Sequence, residues 1–134
     1  MTLNQIIKRL KTICLAHNQI RNFGFGLVQE FLTDKTTLYP SAFLMDSGGQ
    51  ISVQGHLMSF NYRMFFVDLV HVSSDTKANE LDVQSDMMSV AADVVTQINN
   101  GGYTDWKVSS ENSVQLVYEE DGDMYAGVVM DFTI

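Results

Sequence analysis

Few residues in this chain have the types and spacing that catalysis or metal binding demands. The three histidines, His17, His56 and His71, stand at unrelated positions, and none has a partner at ligand spacing. The single cysteine, Cys14, excludes an intrachain disulfide framework and a multi-cysteine metal site. It falls on the apolar side of a helical pattern, where a thiol behaves as a small buried hydrophobe rather than a nucleophile. Asp68 interrupts an apolar strand pattern, and a hydrogen-bonded place near a sheet end explains such a carboxylate better than catalysis does. Glu119, Glu120, Asp121 and Asp123 form the densest acidic run, but not at calcium-loop spacing, so they read as a solvated hairpin tip. No nucleophile elbow, phosphate-binding loop, dinucleotide fingerprint or zincin motif is present. The expectation is a chain with no catalytic residue, no metal and no cofactor, which favours binding or assembly over enzymology.

The elements that must carry these residues are clear from periodicity. Leu3, Ile6, Ile7, Leu10, Ile13 and Cys14 share one face of a helix predicted over residues 3–20. Phe23-Gly24-Phe25-Gly26 opens a strand over 23–32 whose glycine face lets another element approach closely. A short strand, Ala42 to Met45, follows Tyr39-Pro40, and Asp46-Ser47-Gly48-Gly49 reads as a turn before another short strand around Ile51 and Val53. The strongest strand covers 60–72. Tyr62, Met64 and Phe66 point one way and Phe65, Val67 and Leu69 the other, which implies a central strand covered on both sides, or on one side by a partner subunit.

A second helix is predicted over about 80–100, with Met87, Met88, Ala91, Val94, Val95 and Ile98 as its apolar stripe and Asn99-Asn100-Gly101-Gly102 as its stop. Three strands close the chain: a weak one around Trp106, one through Val114 and Leu116, and a long one from Met124 to Ile134. The order specifies one α+β domain over 1–134: a mainly antiparallel sheet with an N-terminal helix and a second helix packed on it.

Composition fits this class. The chain has 134 residues, 46% of them hydrophobic, enough for one domain core. Only 18% are charged, a surface that suits a subunit hiding part of itself against neighbours. No apolar run is long enough to span a membrane, and Lys8, Arg9 and Lys11 interrupt the stretch where a signal-peptide core would lie. The expectation is a chain made in a reducing cytoplasm. The net charge of −8 is unevenly spread. Residues 1–74 carry four acids against six Lys and Arg, whereas residues 75–134 carry twelve acids against Lys77 and Lys107. Such an acidic half argues against a nucleic-acid clamp, but not against a surface that DNA must pass without sticking.

The order of elements resembles the tail-terminator or tail-completion (neck) proteins of tailed bacteriophages. Three segments carry the resemblance. They are Tyr39-Pro40-Ser41-Ala42-Phe43-Leu44 as a proline followed by an apolar strand, the strand Tyr62 to Val72 leading through Asp75, Asn79, Glu80 and Asp86 into the helix, and the ending Tyr118-Glu119-Glu120-Asp121-Gly122-Asp123-Met124-Tyr125-Ala126-Gly127-Val128. Val128 stands where that family often has an aromatic. The resemblance implies a structural virion protein and no catalytic residues. It implies a homo-oligomeric ring of six or twelve copies between portal or neck proteins and the tail, assembled in a bacterial cytoplasm. Genomic DNA would pass through the ring without specific binding, and the acidic hairpin Glu119, Glu120, Asp121 and Asp123 would face the lumen or a neighbouring ring. Two other classes remain open on the residues: a small α+β ligand-binding domain or enzyme, and an adaptor that meets its partner transiently.

Overall fold

A computed structural model describes residues 3–26, 39–52, 57–69, 76–100, 108, 113–117 and 125–134. In chain order the elements are α1 (Leu3–Ala16), β1 (Asn22–Phe25), β2 (Ser41–Ser52), β3 (Leu57–Leu69), α2 (Thr76–Asn100), β4 (Ser113–Val117) and β5 (Tyr125–Thr133). The five strands form one sheet in the order β1-β2-β3-β5-β4. Every pairing is antiparallel except β1 with β2, which is parallel. The fold is the expected α+β class. The weak strand around Trp106 lies outside the described residues, apart from Val108.

Both helices lie on one face of the sheet, α1 over β1 and α2 over β3 and β5. The apolar spacing of α1 buries Ile6, Leu10, Ile13 and Cys14 there. The helix is shorter than predicted because the chain turns at His17: the His17 amide donates to the Cys14 carbonyl at 3.1 Å, and the Ile20 amide to the His17 carbonyl at 3.2 Å. Ile20 is buried all the same, so the apolar pattern continues past the helix end. In α2, Met87, Val90, Ala91, Val94 and Ile98 are buried. Met88 was expected in this stripe but is largely exposed, and Val90 fills the core instead. The contact stripe thus lies on the flank nearer α1. The helix is described as far as Asn100, the predicted glycine pair lies outside the described residues, and Asn99 Oδ1 accepts a hydrogen bond from the Val108 amide at 3.1 Å.

The Asp46-Ser47-Gly48-Gly49 signal is corrected by the structure. β2 runs through it as one strand, and the register slips there: Asp46 pairs with Tyr62 but Gly49 with Phe60, so Ser47 and Gly48 together oppose Asn61. Two residues against one is a β-bulge. Gly48 takes a φ of +92°, which L side chains rarely adopt, and a side chain on Gly49 would collide with the Ser59 carbonyl. The same residue types that end strands can bend one without ending it.

Candidate functional site

The side chains of the central strand β3 alternate between the two faces of the sheet. On the helix face Tyr62, Met64 and Phe66 are buried, and Tyr62 packs its ring 5.5 Å from that of Phe132. Directly opposed strand residues point to the same side. Phe66 therefore shares this face with Ala42 of β2 and Val128 of β5, both buried.

On the other face Val67 is buried with Phe43, and Tyr39, Met45 and Phe65 pack partly buried around them. The Phe43 ring lies across Gly24, where a Cβ would come within 2.7 Å of it. This is the close approach that the glycine face of β1 was expected to permit. Leu69 ends the row at 49% exposed. The other end of the same face is polar. Arg63 Nε donates to Asp131 Oδ1 at 2.7 Å, and Thr133 Oγ1 to Asn61 Oδ1 at 2.8 Å, each pair directly opposed across β3 and β5. Its carboxylate partner holds the Arg63 guanidinium even further above its ordinary pKa. Asp68 sits near the end of β3 and accepts the Leu69 amide at 2.8 Å, the sheet-end role expected of it.

A cleft of about 830 Å³ opens between the C-terminal part of α1 and α2, lined by Thr12, Ala16, His17, Asp93, Thr96 and Gln97 among others. His17 Nδ1 accepts the Gln19 amide at 3.1 Å. The ring proton of neutral His17 therefore sits on Nε2, which donates to Asp93 Oδ2 at 2.9 Å. A histidine and an aspartate so joined resemble two members of a catalytic triad, but a nucleophile is needed to complete one. The nearby hydroxyls are engaged with helix carbonyls: Thr12 Oγ1 donates to Lys8 and Thr96 Oγ1 to Ala92. The His17–Asp93 pair ties the end of α1 to α2. Cys14 lies beneath, its Sγ donating to Met64 Sδ at 4.0 Å, and burial pushes its thiol up to about 12. Among the described residues no group of three His, Cys, Asp or Glu side chains could hold a metal ion.

Sequence patterns did not reveal how the exposed apolar side chains are distributed. Seven large ones are described, from 39% exposed at Val114 to 63% at Leu81. Leu15 and Phe25 lie at the β1 end of the molecule. Leu81 and Met88, seven residues apart, lie on the flank of α2 turned away from α1. Val114 and Leu116 lie on β4, facing the helix side because they oppose Met130 and Val128. Leu69 alone belongs to neither group. The hairpin acids Glu119, Glu120, Asp121 and Asp123 fall outside the described residues.

No protein-family model matches this chain, and no curated protein sequence matches it. No described helix is long and apolar enough to cross a membrane.

Proposed function

We propose that this protein is a structural, non-enzymatic subunit of a tailed bacteriophage, forming a homo-oligomeric ring at the head–tail junction. Neighbouring portal, neck or tail proteins would stack on the ring, and DNA would pass through it without specific binding. The observation that carries the reading is the placement of exposed apolar side chains at two opposite ends of one sheet. A subunit in a closed ring has a neighbour on each side, and each side must offer apolar surface for burial. The α+β element order and its resemblance to tail-terminator and neck proteins support the same reading. An acidic C-terminal half suits a lumen, because like charge repels phosphate and keeps DNA mobile.

Quantitative mass spectrometry of purified phage particles tests the proposal. The chain should be present at a few to about a dozen copies per particle, the range of closed rings. Its absence from finished particles would make it a transient adaptor. Turnover of a metabolite, abolished by a single substitution at His17 or Asp93, would make the α1–α2 cleft an active site and end the structural reading.

A further inference from the structure

We infer that copies of this chain pair helix to helix, the basic flank of α1 on one copy lying against the acidic N-terminal half of α2 on the next. This inference rests on the ring reading and assigns it a junction. α1 carries Lys8, Arg9 and Lys11 and no acid. Lys8, Lys11 and Leu15 share one exposed flank by their i, i+3, i+7 spacing, turned away from Ile13 and Ala16, which line the cleft toward α2. After Lys77, α2 carries Glu80, Asp82, Asp86 and Asp93 and no Lys or Arg. Steps of four and seven residues put Asp82, Asp86 and Asp93 on one line of that helix, and all three are exposed.

The C-terminal end of this line is already used within the chain. Asp93 accepts from His17, at the end of the chain's own α1, at 2.9 Å. Further toward the N-terminus the line is open. Among the described residues Asp82 and Asp86 have no ion-pair partner, and neither do Lys8 and Lys11. Arg9 and Glu80, by contrast, are engaged. Asp82 stands eleven residues before Asp93, about 16 Å along the axis, and a second helix needs about 10 Å of room. The spare charges also match in span: about 4.5 Å along the axis from Lys8 to Lys11, and about 6 Å from Asp82 to Asp86. Leu15, 44% exposed, adjoins the lysines, and Leu81, 63% exposed, adjoins Asp82, so the contact has apolar surface to bury. Two α1 flanks together, or two α2 lines together, would set like charges face to face, which is costly. Basic on acidic is the complementary arrangement. Used once at each junction it is heterologous, so it propagates until a ring closes.

A charge-swap mixing experiment on the full chain tests this. One variant carries Lys8→Glu and Lys11→Glu, the other Asp82→Lys and Asp86→Lys. All four positions are exposed, so each variant should melt like wild type by circular dichroism. Should a variant fail to fold, Lys8→Gln with Lys11→Gln and Asp82→Asn with Asp86→Asn replace the reversals, and each pair should lower the assembled fraction. By native mass spectrometry each reversed variant alone should run as one chain, because its α1 and α2 now carry the same sign. A one-to-one mixture should regain the wild-type mass, since an acidic α1 meets a basic α2 at one junction and the original pair meets at the next. Folded variants that assemble like wild type on their own overturn the helix pairing and leave the ring standing. Variants that stay single chains when mixed overturn the pairing of these four residues. A wild-type protein of single-chain mass at every concentration overturns the ring and this inference together.

Discussion

Phe66→Ala should destabilise the protein far more than Leu69→Ala, although both residues lie on β3 and both are large and apolar. Phe66 is fully buried on the helix face, flanked by Ala42 and Val128 on the adjacent strands. Removing its ring forfeits transfer free energy and leaves a cavity that paired strands and packed helices cannot close. Such truncations cost about 3–5 kcal/mol. Leu69 points to the opposite face at the strand end and is already 49% exposed, so its truncation should cost about 1 kcal/mol or less. For a chain of this size the Phe66 loss should lower the melting temperature by roughly 10–20 °C. Urea unfolding followed by circular dichroism measures both, at one fixed protein concentration because association adds to apparent stability. A Phe66→Ala cost below about 1 kcal/mol, or a Leu69→Ala cost as large as that of Phe66→Ala, would refute the assignment of the two faces.

Cys14 should resist alkylation in the native protein and react promptly in denaturant, because burial keeps it a thiol at neutral pH. The same burial raises its folded-state value from an ordinary 9.0 to about 12. Its contribution to stability should therefore be complete below pH 9 and fade as pH rises toward 12, and Cys14→Ala should flatten that alkaline loss in a pH series of urea midpoints. Gly127→Ala should weaken the β3–β5 pairing by about 1–3 kcal/mol, since the new methyl would collide with the Phe66 carbonyl; an unchanged urea midpoint would disprove that close approach.

The sequence made the sheet core legible because strand and helix periods differ sharply. The alternation through Tyr62, Met64 and Phe66 and the spacing of Ile6, Leu10 and Cys14 each specify one buried face. Turn chemistry was less decisive. Gly48 and Gly49 favour a bend, but whether the bend reverses the chain or bulges a continuing strand depends on the partner, and β3 extends far enough to hold β2 on both sides of it. Met88 and Val90 both border the apolar face of α2, and the position of α1 decides which of them is buried. The pairing of β1 with β2 and the insertion of β5 between β3 and β4 are long-range choices that no local pattern encodes. For the same reason the grouping of exposed side chains at two sheet edges emerges only from the topology. The faces of β3 were legible; the acids Glu119, Glu120, Asp121 and Asp123 rest on sequence alone.

The native mass of the purified wild-type chain tests the central claim most directly. A ring subunit should form one closed species at six or twelve times its 15.0 kDa chain mass, with no continuous ladder of sizes above it. A protein that remains at the mass of one chain across the accessible concentration range would contradict the account.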